Sequence, residues 1–196
     1  MTARTGMSNL LLRFRSMVFA GTADYTVNSV AYWTDDQLQD RLDASRMELH
    51  NVPLVPMPEL GQQAGAAVYR YHDYAVGRGD LEEAASGTVA WVVRDANGAE
   101  VGTANYTPDY IRGIVRFTND QMGSAYTVKA RSYRLKQAAA AVWYEKAAQY
   151  PIAYDFSTEG QSFKRSQLVD QALKMAQSFD DSSGIVASGF VRTDLQ

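Results

Sequence analysis

Cysteine is absent from the 196 residues of this chain, which excludes a disulfide framework and every thiolate metal site. Histidine occurs only twice, as His50 and His72, without the paired spacing that zinc ligation needs. Basic charge is not in excess. Nineteen Lys and Arg stand against 22 Asp and Glu, a formal net charge of -3, whereas a surface that grips duplex DNA must neutralise phosphates. Long hydrophobic runs are missing as well. Leu10-Leu11-Leu12 is interrupted by Arg13 and Arg15 before Met17-Val18-Phe19-Ala20 resumes. A secretory core or a spanning helix needs an unbroken stretch. The segment predicts a short amphipathic helix from Ser8 to about Phe19, in a soluble protein made in a cytoplasm. There is no internal repeat and no low-complexity tract. Gly77-Arg78-Gly79 lacks the lysine and helix start of a phosphate loop, and no serine stands in a nucleophile elbow.

What is present is ordinary globular material, 46% hydrophobic and 21% charged, enough to bury a sizeable core in one domain or a small pair. From Thr34 to about Leu49 the periodicity is helical. Thr34 and Gln37 have capping-box spacing, Asp35 and Asp36 suit the positive end of the helix dipole, and Leu38, Leu42, Met47 and Leu49 supply an apolar face. Pro53, Pro56 and Pro58 then forbid a helix and favour an extended crossing. From Ala66 to Arg131 the signal is β. Val68–Tyr74 and Thr88–Arg94 read as strands, Asn97-Gly98 as a hairpin turn, and Val101–Thr107, Gly113–Thr118 and Ser124–Lys129 as further strands. Short strands at hairpin spacing predict an antiparallel meander, sandwich or small barrel. A helical pattern then resumes to Asp181. The expected fold class is α+β, a helical bundle built from both chain ends with an inserted antiparallel β domain. The divisions are 1–62 helical, 63–131 β, 132–181 a helical pair and 182–196 an extended arm.

The chemistry-bearing residues do not assemble into a reaction centre. His72 and Asp73 are strand neighbours, so they point to opposite faces and form no triad alone. Asp155-Phe156-Ser157-Thr158-Glu159-Gly160 imitates the start of a calcium loop, but Ser166 stands where a bidentate glutamate is needed. Asp95–Glu100 shares that defect and is better explained by its turn. Glu82 and Glu83 are adjacent and read as a solvated strand end. No catalytic residue, cofactor or metal is assigned, and the expectation is a protein that is not an enzyme.

The last third is the most informative. Tyr133 to Ala148 includes four consecutive alanines, Ala138 to Ala141, beside Trp143, and Tyr154-Asp155-Phe156-Ser157-Thr158-Glu159-Gly160-Gln161-Ser162-Phe163-Lys164-Arg165-Ser166-Gln167-Leu168 leads into a second amphipathic helix. Small side chains let a neighbouring helix approach closely while the indole fills space, which describes a packing surface. This stretch is similar to the C-terminal helical pair of head–tail adaptor (connector) proteins of long-tailed bacteriophages and prophages. Gly21-Thr22-Ala23-Asp24-Tyr25-Thr26 and Tyr32-Trp33-Thr34-Asp35-Asp36-Gln37-Leu38-Gln39-Asp40-Arg41-Leu42-Asp43 resemble the start of that group. The resemblance covers both ends and the order of elements between them.

The resemblance implies a virion structural protein at the head–tail connection. It implies a cyclic ring, a dodecamer of about twelve copies, that docks beneath the portal protein. Such a ring extends the channel through which DNA passes without specific binding, and offers a surface to the next neck or tail protein. A C-terminal segment of such adaptors commonly reaches towards the portal, which implies interaction residues Ile185, Val186, Phe190, Val191 and Leu195. A channel that passes DNA must not hold it, so Asp36, Asp40 and Asp43 are candidates to face the axis. The inserted β domain departs from the simplest all-helical adaptors. Two other readings stand beside this one. Another neck protein, a stopper or tail terminator, has similar content. A carbohydrate-type binding module would use Tyr69, Tyr71, Tyr74 and Trp91. No membrane partner is expected.

Overall fold

A computed structural model describes residues 4–21, 25–27, 30–63, 66–85, 90–149, 156–158, 161–163 and 165–181. The chain divides into two compact units, Met1–Leu135 and Lys136–Gln196. It is a mixed α+β protein with antiparallel sheets.

In the first unit, helix α1 (Ser8–Val18) forms where expected and buries Leu10, Leu11, Phe14 and Val18, one stripe of a 3.6-residue repeat. It stops at Phe19, whose φ of 51° is left-handed and whose N–H bonds back to the Arg15 carbonyl. Two short strands, β1 (Tyr25–Val27) and β2 (Val30–Tyr32), pair antiparallel. Helix α2 (Asp35–Ala44) opens with the predicted capping box, the Thr34 N–H donating to Gln37 Oε1 at 3.0 Å. Leu38 and Leu42 are fully buried. Arg15 bonds Asp35 at 2.6 Å and so ties α1 to the start of α2.

The helical reading fails after Ala44. Residues 46–53, expected to continue the helix to about Leu49, form strand β3 (Arg46–Pro53). Met47-Glu48-Leu49 has good helix formers, but Leu49 is buried only when paired with Ala130 in the sheet, and tertiary pairing overrides weak local propensity. Strand β4 (Val55–Gln63) follows at once, so the β region starts well before residue 63. Pro56 and Pro58 are tolerated because β4 is an edge strand, where a missing N–H breaks no ladder bond.

Strands β5 (Ala66–Ala75), β6 (Val92–Asp95), β7 (Tyr106–Asp109), β8 (Ile114–Phe117) and β9 (Tyr126–Tyr133) complete two sheets. One has the order β3-β9-β6 and the other β4-β5-β8-β7, all antiparallel. The order is not the sequential one of a meander. The Asn-Gly turn does form, with the Gly98 N–H on the Asp95 carbonyl at 3.0 Å. The returning chain, however, makes only an isolated bridge, Arg94 to Glu100, before crossing to the other sheet as β7. Side chains from both sheets meet in one cluster that includes Leu49, Leu54, Tyr74, Trp91, Val93, Val115, Phe117 and Val128. Tyr74 sits at its centre, edge-on to Phe117 (5.2 Å) and Tyr126 (5.5 Å), geometry that rings prefer.

In the second unit, helix α3 (Leu135–Gln149) carries the alanine run. Strands β10 (Phe156–Thr158) and β11 (Gln161–Phe163) pair antiparallel where a plain loop was expected. Helix α4 (Arg165–Asp181) ends at the predicted residue. Trp143 and Ala147 of α3 pack with Ala172 and Ala176 of α4. Lys146 is buried, with its ammonium 4.9 Å from the centre of the Trp143 ring, a cation–π contact that offsets part of its desolvation.

Candidate functional site

Two arrangements stand out in the first unit, one buried and one exposed. The buried one gathers side chains that are remote in sequence. Glu82 is fully buried. It accepts a 2.6 Å bond from the Tyr133 hydroxyl and one of 3.2 Å from Arg4 Nε, with an Arg131 nitrogen 3.6 Å away. Arg4 also forks onto Asp43, at 2.8 Å and 2.7 Å, and reaches the Tyr133 hydroxyl at 3.0 Å. Bidentate pairing of this kind is the strong form of an arginine–carboxylate contact. The bond to Asp43 holds the Arg4 guanidinium charged well above its ordinary range, and burial together with Glu82 pushes the Tyr133 phenol up. The segment before α1, the end of α2, the loop at residue 82 and strand β9 thus share one ionic knot.

That knot corrects one expectation and locates others. Glu82 is no solvated strand end. Its neighbour Glu83 points elsewhere and accepts a bond from Asn9 Nδ2, so the two carboxylates do not converge as an acid/base pair. Asp43 lies on the same acidic helix as Asp36 and Asp40, but its carboxylate is committed to Arg4. Asp40 is exposed and Asp36 half-buried. The contrast is testable by thermal melting. Asp40→Lys should leave stability within about 0.5 kcal/mol of wild type, as most exposed substitutions do. Asp43→Lys should lower it by roughly 2–3 kcal/mol, because it sets a further cation against Arg4 and Arg46. Equal effects at the two positions would contradict this assignment.

The tyrosines offered to a sugar are dispersed. Tyr74 and Trp91 belong to the core, Tyr71 packs against it, and only Tyr69 is exposed. Burial raises the Tyr74 phenol to about 12, another mark of an interior ring. One exposed ring makes no platform. Among the described residues no group of three or more His, Asp or Glu could hold a metal ion, and no helix is long and apolar enough to cross a membrane. His72 Nδ1 lies 3.4 Å from the Phe117 carbonyl, so its ring is tied to the sheet. The calcium-like segment at Asp155–Gly160 falls partly outside the described residues. Ile185, Val186, Phe190, Val191 and Leu195 fall wholly outside them.

The exposed arrangement lies on the four-stranded sheet. Strand β5 meets β8 only through Asp73–Ala75. Its other half, paired with β4 through Glu59–Gln63, forms a two-stranded ribbon whose only strand neighbours, among the described residues, are each other. Between Met57 and Glu59 the register shifts and β5 gains one residue, a bulge. Below it the turn after Asn119 grips Tyr71. Asp120 Oδ1 accepts from the Tyr71 N–H at 3.0 Å, and the Gln121 N–H donates to the Tyr71 carbonyl at 3.1 Å. The Met122 and Tyr71 amides hold the Asp120 carboxyl below its usual range. Above that grip, Leu60 and Tyr69 stand opposite each other, 66% and 65% exposed.

No family model matches this chain, and no curated protein or solved structure matches it. Its reading therefore rests on its own residues. On the outward face of the same sheet, Asp73, Thr107, Pro108, Asp109, Arg112, Ile114 and Arg116 line an open depression of about 260 Å3. Arg116 donates two bonds to Asp73, at 2.7 Å and 2.6 Å, and thereby holds the Asp73 carboxyl below the usual carboxylate range. Nothing in the sequence pattern announced the ribbon, the depression or the ionic knot. The knot and the Asp73–Arg116 pair join residues tens of positions apart, whereas the ribbon closes locally, Gln63 on Ala66.

Proposed function

We propose that this chain is a non-enzymatic structural protein of a virion, a ring-forming head–tail adaptor that docks on the portal protein. In this reading it extends the DNA channel and offers a docking surface to the next neck or tail protein. The observation that carries the proposal is the close helical pair of the second unit. Alanines on both helices and a buried tryptophan set α3 against α4, in the part of the chain whose sequence resembles adaptors. The capped acidic helix α2, in the region that resembles their start, adds support.

The finer architecture belongs to the same proposal. The helices of both chain ends form the body of the ring, and the sheets form a sandwich-like outward addition. Residues 182–196 reach the portal through Ile185, Val186, Phe190, Val191 and Leu195. Asp36 and Asp40 line the channel with acidic charge that repels phosphates, while Asp43 serves the knot with Arg4. The test is a mass measurement of the full chain, alone and mixed with the portal protein of the same virus. The expected result is a monomer or loose oligomer alone and a closed ring on the portal. A chain that never joins the portal, at any concentration or ionic strength, would overturn the function.

A further inference from the structure

We infer that the β4–β5 ribbon of one copy seats Tyr69 and Leu60 in the sheet depression of the next copy, a head-to-tail contact that propagates around the assembly. This deepens the ring reading above by naming the surface that links its subunits. The inference begins with the pleat. Pro56 is opposite Tyr74, the buried centre of the core, and residues 56, 58 and 60 share a face by the two-residue repeat of a strand. Leu60 faces inward with Pro56, and Tyr69, its cross-strand partner, does the same. The extra residue in β5 keeps Tyr71 on that side too, where it packs on the core. The core-facing side of the sheet therefore runs on past the end of the core, and two large apolar side chains are left there in water. A monomer gains nothing from carrying its inner face outward, and paired exposed apolar groups of this kind mark a contact surface.

The occupant follows from geometry and charge. The ribbon is continuous with its sheet and cannot fold back onto the outward face of that sheet, which leaves the depression there open to the ribbon of another copy. Glu59 and Arg70 are opposite each other on the ribbon and cancel in charge, which suits neither phosphates nor a strongly acidic or basic partner. The depression is matched to a tyrosine. Pro108 and Ile114 supply apolar lining. The Arg116 guanidinium, held flat by two bonds to Asp73, offers a planar cation on which a ring can stack. Thr107 and Asp109 can accept a bond from the phenol. Donor and acceptor surfaces differ, so the contact is heterologous, the kind that builds rings when the rotation closes.

The absence of cysteine makes the test clean. Gln62→Cys places a thiol on the ribbon face beside Leu60, and Thr107→Cys places one at the depression, while both anchors stay intact. Under mild oxidation at high protein concentration, the full-length double variant should give a disulfide ladder beyond dimers. Each single variant should stop at dimers, and adding Tyr69→Asp should cut the trapped fraction at least tenfold. A double variant that yields no more than the single ones, while wild type closes rings on the portal, would overturn the ribbon contact and leave the adaptor reading standing. A ladder from a chain that never joins the portal would do the reverse. If neither ladder nor ring forms, both fall.

Discussion

Arg4→Ala should cost the first unit about 2–4 kcal/mol, a fall in melting temperature of roughly 10 °C. The reason is what it leaves behind. Glu82 is fully buried and would keep only Arg131 at 3.6 Å, and partly buried Asp43 only Arg46 at 3.9 Å, so each carboxylate loses its closest cation where little water can replace it. Because Arg4 and Asp43 keep some exposure, the expected loss is set below that of a wholly buried pair. Removing both sides is predicted to hurt less than removing one. Arg4→Met with Glu82→Leu should recover part of the single-variant loss, because the fully buried one of Arg4's two carboxylate partners disappears with it while Asp43 keeps Arg46. Strictly additive losses in calorimetric melts would show that the two groups do not act on each other. The pH dependence gives a second readout. The Tyr133 phenol is raised in the folded chain, so its contribution is fully present below the unfolded value of about 10 and is lost as pH rises beyond it. Tyr133→Phe should flatten that alkaline limb.

Gly113→Ala is expected to be worse still. Gly113 has a φ of +70° in the turn between β7 and β8, and a methyl group there would fall on the Arg78 carbonyl oxygen. The two backbones run against each other along this seam. The Val76 N–H donates to the Gly113 carbonyl at 2.8 Å, and the Asp80 N–H to the Ile111 carbonyl at 3.1 Å. A left-handed alanine costs about 1–2 kcal/mol, and displacing backbone rather than a flexible side chain adds roughly 1–3 kcal/mol more. The first unit should lose its cooperative melt at or near 37 °C. Gly98→Ala is the control. Its φ is +80°, but the space beside it is open, so it should show the conformational penalty alone. Similar losses at the two positions would refute the close approach as the cause.

What was legible in the sequence was local. The extent of α1, the Thr34–Gln37 cap, the Asn97-Gly98 turn and the end of α4 all depend on residues within a few positions of one another, and each is found in place, although Leu12, expected on the core with the other leucines, is exposed. Met47-Glu48-Leu49 misled because its helix propensity is real and its true partner, Ala130, is far away. The same holds for the candidate sites. Asp43 reads as part of an acidic helix face until Arg4 is found across it. Glu82 reads as surface until Tyr133 and Arg131 enclose it. Tyr69 and Tyr74 look alike in an alternating strand, and only the bulge and the end of the core separate an exposed ring from a buried one.

The reach of the ionic knot also sets an order of events during synthesis. Arg4 and Tyr133 are 129 residues apart, and β3 has no partner until β9 exists, with Glu48 and Arg131 separated by 83. Helices α1 and α2 are made early but cannot be locked until nearly all of the first unit has left the ribosome. At a synthesis rate of about 5–20 residues per second, that wait is on the order of ten seconds. Throughout it Leu49, Leu54 and the inner face of β5 have no cover. Completion should therefore be abrupt and late, at the emergence of β9, with the strand pairings of greatest sequence separation setting its pace.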